Sequence, residues 1–295
     1  MLGVIYLARG IGGGLDSAQA FFESYRRWGA GEPHELIVVM KGWQGVAGEA
    51  EVLRLAEAHG AAVVHLPDDG YDWGAYMRVA GLLPHEWLCF LNTHSRIMSP
   101  DWLAKLRRAA AQPMVGAAGA TASLGSILPA FRLFPQQLRD IRERKGLVKA
   151  AAAALYFGPA YPIGFVKNVW RFSGMPNPHL RSNAFLVRRE DFVAFCKTTR
   201  IPRSKGDTLV LEHGKMSLTR FLHANGRVTV VVDAQGQAYR PEAWVESGTF
   251  WVPGQPNLLV GDNQTQAYHN AGVYRRRFLE LAAWGRVFTP RPIAR

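Results

Sequence analysis

The first 120 residues alternate between two hydrophobic periods, and this alternation constrains the fold more than any other feature. Short, mostly apolar runs recur at residues 2–8 (LGVIYLA), 36–40 (LIVVM), 62–66 (AVVHL), 87–91 (WLCFL) and 114–118 (MVGAA). Runs this short and continuous read as buried strands. The stretches between them, near 15–29, 46–59, 72–83 and 100–111, read as helices. Ser99 and Pro100 mark the start of the last one, with Ser as the cap and Pro in the first turn. Strands and helices alternating at this spacing predict an α/β fold, a mostly parallel sheet with helices on both faces.

After about residue 120 the rhythm changes. A basic helix is expected at 134–154, then an aromatic, proline-broken loop at 156–178. A strand returns at 184–187, followed by a helix at 189–197. A further helix near 215–225 stops at Asn225-Gly226 and feeds a strand at 227–232. Residues 240–268 are rich in Trp, Gly and Gln without a clear period. No internal repeat or flexible linker is visible, so one domain with an elaborated second half is expected.

Charge narrows the partners. Lys and Arg number 35 against 23 Asp and Glu, a net of +12. Residues 132–149 (Arg132, Arg139, Arg142, Arg144, Lys145 and Lys149 against Asp140 and Glu143) carry a net +4. Residues 275–295 (Arg275, Arg276, Arg277, Arg286, Arg291 and Arg295 against Glu280) carry +5. Such segments attract nucleic acid, anionic lipid or phosphorylated small molecules. No groove-reading motif accompanies them, so no nucleic acid partner is expected. An apolar share of 48% and a charged share of 20% exclude a disordered chain or a fibre. Cys89 and Cys196 are too few for a disulfide scaffold and fit a reducing compartment. The opening MLGVIYLARG reads as a first strand rather than a leader, and the uncharged run 150–166 is broken by Gly158, Pro159 and Pro162. These readings predict a cytoplasmic protein that can touch the inner face of the membrane peripherally.

In parallel α/β sheets, ligands bind beyond the carboxyl ends of the strands. Arg9-Gly10-Ile11-Gly12-Gly13-Gly14-Leu15 follows the first strand, but Leu15 breaks the dinucleotide pattern. Met40-Lys41 stands where that pattern needs an acid at the end of strand two. The informative block is HLPDDGYDWGAYMRVAGLLPHEWLCFLNTHSRIMSPDWLAKL, residues 65–106. Within it, Asp69-Gly70-Tyr71-Asp72-Trp73-Gly74-Ala75, the strand Leu88–Leu91 and Pro100-Asp101-Trp102-Leu103-Ala104-Lys105-Leu106 resemble the donor-binding half of GT-A glycosyltransferases of the family 2 type. The likeness extends to the bacterial rhamnosyl- and capsular-type transferases. Leu218-Thr219-Arg220-Phe221-Leu222 with Asn225-Gly226-Arg227-Val228 is similar to the helix and strand of that family's second half. The resemblance covers roughly residues 1–120 and 183–233.

The resemblance implies a GT-A-like single domain. Residues 1–120 would bind the nucleotide-sugar, and 121–239 would bind acceptor and carry catalysis, with a basic insertion at 130–178. Residues 240–295 would pack on the body as an extension. It implies an inverting transfer of a hexosyl or deoxyhexosyl group from a nucleotide-diphosphate sugar to a glycan or lipid-linked acceptor, in surface polysaccharide assembly. The alternative is a non-catalytic relative that binds nucleotide or glycan as a module.

Residue roles follow from the same resemblance. Glu212, just before the second-half helix, is the expected base, with Asp207 second and a plain helix cap the structural alternative. Arg9, Asp68, Asp69, Asp72, Trp73, Asn92, His94 and Arg96 are the expected donor contacts. Asp68 and Asp69 can equally cap a turn, and Trp73 either stacks on a base or packs a helix. Asn183 is the expected acceptor contact. The family has an Asp-x-Asp pair where this chain has Asn92-Thr93-His94. Asn and neutral His are poorer ligands for hard cations than carboxylates are. Two readings stay open: a weakly held Mn²⁺ or Mg²⁺ on Asn92 and His94, with His269 folding over the phosphates, or metal-independent neutralisation by Arg9, Arg96 and protonated His94.

Overall fold

The computed structural model describes residues 1–128, 130–158 and 166–290. The first half runs β1 (Leu2–Arg9), α1 (Gly14–Arg27), β2 (Glu35–Lys41), α2 (Glu49–Ala58), β3 (Ala62–His65), α3 (Tyr71–Leu82), β4 (Trp87–Leu91), β5 (Arg96–Ile97), α4 (Trp102–Ala110) and β6 (Val115–Gly119). The second half runs β7 (Ala122–Ser123), α5 (Ala130–Lys145), α6 (Leu147–Phe157), β8 (His179–Leu180), β9 (Ala184–Arg188), α7 (Arg189–Lys197), α8 (Lys205–His213), α9 (Leu218–Ala224) and β10 (Val228–Val232). It ends with β11 (Ala238–Tyr239), a 3₁₀ helix (Pro241–Ser247), β12 (Val260–Gly261), α10 (Asn263–His269) and α11 (Val273–Trp284).

Among the described residues, eight strands form the main sheet in the order β11-β10-β6-β9-β4-β1-β2-β3. Six run parallel; β9, inserted between β4 and β6, and β11 at the edge run the other way. This is the α/β architecture the alternation predicts. Side chains alternate along each strand, so β1 sends Val4, Tyr6 and Ala8 to one face and Ile5 and Leu7 to the other. The first face is covered by Phe21 and Phe22 of α1, Val52 of α2 and Leu106 of α4. Trp73 and Tyr76 of α3, Phe192 of α7 and Leu222 of α9 cover the second.

Three expectations are corrected. The run at 62–66 is the sheet edge, pairing among the described residues with β2 alone, so Ala62 and Val63 are exposed. Helix α4 starts at Trp102 after Asp101 in a left-handed conformation, φ 54°. Ser99 therefore does not cap it; its hydroxyl donates to the Ala234 carbonyl at 3.0 Å instead. The basic helix at 134–154 is two helices parted at Gly146, whose φ of +86° suits glycine alone. Part of the expected loop, residues 159–165, lies outside the described residues, as do Arg291 and Arg295 and the side chains of Arg132, Leu133, Asp140 and Arg144.

The aperiodic stretch 240–268 is ordered by packing. Trp244 is fully buried and donates to the Tyr239 carbonyl at 3.1 Å. Val260 and Gly261 pair with Ile97 and Arg96. Buried Glu280 of α11 accepts from the Tyr268 hydroxyl at 2.7 Å and from the amides of Phe288 and Thr289. Among the described residues, no helix is long and apolar enough to cross a membrane.

Candidate functional site

The carboxyl ends of β1 to β4 lie along one edge, and their loops are pressed together. The Gly10 amide donates to the Lys41 carbonyl at 3.0 Å, and a Cβ on Gly10 would sit 2.4 Å from the Gly42 oxygen. Only glycine lets the two backbones approach so closely. Lys41 follows the apolar run Leu36–Met40 at the end of β2 with its side chain buried. Its ammonium donates to the carbonyls of Asp69 at 2.7 Å and Tyr71 at 3.0 Å, and lies 3.5 Å from Asp68. Burial lowers its pKa, and the Asp68 charge opposes that shift. Gly70 and Tyr71, both left-handed at φ 68° and 54°, shape the turn that Lys41 holds.

Asp68 is gripped by Arg9 through Nε at 3.1 Å and Nη2 at 3.3 Å. Burial works against its charge, but the Arg9 hydrogen bonds and the charges of Arg9 and Lys41 hold its carboxyl below the usual range. Lys41, Trp43, His65 and Asp68 line a cavity of about 520 Å³ at this corner.

Beside it lies a cleft of about 440 Å³ where the two halves of the chain meet. Asp72, Asn92 and His94 line it from the first half, and Arg181, Lys205, Glu212 and Asp262 from the second. Glu212 projects from α8, and its Oε1 accepts from the Ser182 amide at 3.0 Å and the Ser182 hydroxyl at 3.1 Å. Asp72, in the first turn of α3, has its pKa raised by burial and then by the Glu212 charge. Arg181 pairs with buried Asp262 at 2.8 Å and lies 4.2 Å above the Phe250 ring.

Burial disfavours the charged form of the imidazoles here. Burial lowers the His94 pKa and the Arg96 charge adds to it, against the pull of Asp262. Burial thus works against the protonated His94 that the sequence offers as one candidate cation. His179 is pushed down to about 3 by burial and by His213, whose ring centroid lies 5.0 Å away. Its Nδ1 donates to the Asn177 carbonyl at 2.8 Å.

The cleft gathers Asp72, Asn92, His94 and Glu212, and the neighbouring corner gathers Arg9 and Asp68. The other candidates stand elsewhere. Trp73 is 2% exposed and packs against Phe185, Phe192 and Phe195, so it belongs to the core and cannot stack on a base. Asn183 is 1% exposed, with Oδ1 accepting from Thr121 and Nδ2 donating to the Val260 carbonyl. It locks strands together and is closed to an acceptor. Asp207 closes the capping box of α8 with Ser204 and pairs with Arg171 at 2.6 Å, so its carboxylate is spent on the helix end. Asp69 pairs with Arg78. Arg96 and His269 line a separate cavity of about 470 Å³ beyond Asp262.

The donor set does not fit a divalent metal. Asn92 Oδ1 already accepts from the His94 amide at 3.0 Å and the Ser95 hydroxyl at 3.1 Å. His94 Nδ1 is 3.2 Å from the Ser17 hydroxyl, and His269 lies in the other cavity. Among the described residues, no three His, Cys, Asp or Glu side chains are grouped to hold a metal ion.

Sequence reasoning missed Lys41, Arg181, Ser182 and Asp262. Lys41 left a readable trace, a lysine closing an apolar strand. The others reach the cleft through the turn between β8 and β9 and through β12; β9 was legible, but the two-residue β8 and β12 carry no local pattern.

No protein-family model matches the chain, and no curated protein matches it in sequence. Solved structures give weak likenesses. A mannosyltransferase from Pyrobaculum calidifontis, solved with GDP-Man and Mn²⁺, is 12% identical with a TM-score of 0.45, over 77% of this chain and 53% of its own. A 4-diphosphocytidyl-2C-methyl-D-erythritol synthase from Anaerococcus prevotii is 12% identical with a TM-score of 0.41, over 72% and 82%. A glucosyl-3-phosphoglycerate synthase from Mycobacterium tuberculosis, solved with Mn²⁺, UDP and glucosyl-3-phosphoglycerate, is 15% identical with a TM-score of 0.33, over 65% and 57%. The chain thus spans about half the length of the mannosyltransferase, and the donors and acceptors named belong to those proteins.

Proposed function

We propose that this chain is an inverting glycosyltransferase that moves a hexosyl or deoxyhexosyl group from a nucleotide-diphosphate sugar to a hydroxyl of a glycan or lipid-linked acceptor. Surface polysaccharide assembly is the setting that reading suggests. The observation that carries it is Glu212, anchored through one oxygen by Ser182 in a cleft whose opposite wall bears Asp72. In the proposed reaction Glu212 accepts the acceptor's hydroxyl proton as that oxygen attacks the anomeric carbon. The bond from that carbon to the diphosphate breaks, and the nucleotide diphosphate leaves with the bonding pair. One displacement inverts the configuration.

Charge on the leaving group needs compensation in place before it develops. Arg181 and Lys205 line the same cleft, and the Arg9–Asp68–Lys41 corner offers the adjoining cavity to the nucleotide. No step is routed through a metal, because the donor set does not fit one. That misfit also favours a second reading, a nucleotide- or glycan-binding module without catalysis. A panel of nucleotide sugars with product detection separates the two. Transfer or donor hydrolysis that disappears in Glu212→Gln supports the enzyme, whereas nucleotide binding without turnover in the wild type overturns it.

A further inference from the structure

Helix α6 turns its large apolar side chains outward. Its sequence is LVKAAAAALYF, and it buries only Ala150. At 3.6 residues per turn, Leu147, Ala151 and Leu155 form one row, and Val148, Ala152 and Tyr156 the next. Both rows face water: Leu147 is 70% exposed, Val148 82%, Leu155 80% and Tyr156 78%. A surface helix normally turns its apolar rows toward the core. Here only alanines face the body while the large apolar side chains point outward, and a contiguous exposed apolar patch marks an interaction surface.

The rim of this patch is basic. Lys149 of α6 and Arg139, Arg142 and Lys145 of α5 are all exposed. Helix α11, which opens the second basic segment and carries exposed Arg275, packs against α5, which in turn packs against α6. Two segments about 140 residues apart in sequence, each strongly basic, are thus brought onto adjoining helices.

We propose that α6, rimmed by Lys149 and the cations of the adjoining α5, docks on an anionic lipid bilayer. The apolar rows would sink to the boundary between headgroups and acyl chains, and the rim would meet lipid phosphates. The surface is linked to the cleft through α5 and α11. Ser123, which lines it, donates to the Ala283 carbonyl of α11 at 3.2 Å, and the Leu124 amide donates to the same oxygen at 2.9 Å. Docking would therefore hold the cleft close to the membrane surface, whatever reaction the cleft performs.

The test is sedimentation of the full chain with vesicles of phosphatidylcholine alone, or mixed in equal parts with phosphatidylglycerol. The expected result is pelleting with the mixed vesicles, little with the neutral ones, and release at high salt. Replacing Leu155 and Tyr156 together by Glu should abolish pelleting. Lys145→Ala and Lys149→Ala should each reduce the partition coefficient about fivefold. All four positions are exposed, so thermal unfolding should match the wild type, and the salt dependence of the unaltered protein provides a readout free of mutation. Equal pelleting with both vesicles, pelleting with neither, or wild-type pelleting by the Glu variant would overturn the proposal. So would a dimer, seen by light scattering, that the Glu variant dissolves. None of these readouts depends on sugar transfer, which Glu212→Gln tests separately.

Discussion

Ser182 donates both its backbone N–H and its hydroxyl to the same carboxylate oxygen of Glu212, at 3.0 and 3.1 Å. This fixes the carboxylate's orientation and leaves the other oxygen without a hydrogen bond from the described residues. Glu212→Gln should lower the rate of transfer by about 10²–10⁴-fold while nucleotide binding persists. Ser182→Ala removes one of the two anchors and should cost about tenfold in kcat. Steady-state kinetics with product detection checks both, and a wild-type rate in Glu212→Gln would discard the assignment.

Nucleotide binding should survive chelation. Asn92 Oδ1 is occupied by two donors, and His94 and His269 line different cavities. Thermal-shift measurements with nucleoside diphosphates should give the same stabilisation with Mn²⁺ or with EDTA. Loss of the shift in EDTA would show a metal site that these side chains do not suggest.

Trp73 should behave as a core residue. Trp73→Ala should destabilise the fold by about 3–5 kcal/mol, read by chemical denaturation. Trp73→Phe should cost less than about 1.5 kcal/mol and leave nucleotide affinity unchanged. A selective loss of nucleotide affinity in the Phe variant would restore a stacking role.

Asp207→Ala should act on stability rather than chemistry. It removes the side chain at the third helical position that completes the capping box of α8, leaving the Ser204 cap itself in place, and costs about 1 kcal/mol. The transfer rate should change far less than in Glu212→Gln. Equal collapse of the rate in both variants would make Asp207 a second reacting group.

His179 predicts an acid-sensitive fold. Its pKa falls from 6.5 to about 3 in the folded state, so the unfolded chain binds the proton that the native state refuses. The stabilisation is present above pH 6.5 and is lost as pH falls toward about 3, at up to about 1.4 kcal/mol per pH unit. Urea unfolding at a series of pH values should show this slope, flattened in His179→Asn. Parallel slopes for the two proteins would exclude the residue as its source.

The sheet was legible because its signal is local: a strand buried on both faces writes itself as a continuous apolar run. Glu212 was picked out through the resemblance, which expects an acid just before the second-half helix, and not through a strand signal, since Leu209-Val210-Leu211 lies in helix α8. Trp73 was not legible, because a tryptophan after a strand-end turn has the same spelling whether it faces cleft or core. Its spacing to Tyr76 and Ala80, all on one helical face, carried the answer. Ser204-Lys205-Gly206-Asp207 likewise spelled a capping box before it spelled a base. Arg96 and His269 were drawn away from the cleft by the pairing of β5 with β12, a contact across more than 160 residues that no window of sequence contains.

The insertion of β9 between β4 and β6 sets the order in which the molecule can assemble. β4 and β6 follow one another in sequence among the strands of the main sheet, yet each pairs with a strand that ends at residue 188. Until that strand is synthesised, the nascent chain carries WLCFL as an open, wholly apolar sheet margin, the kind of margin that recruits other chains. Closure must span long loops and is slow for that reason. Cellular yield should therefore depend on protection of this margin during synthesis, and fragments that stop short of β9 should precipitate rather than fold.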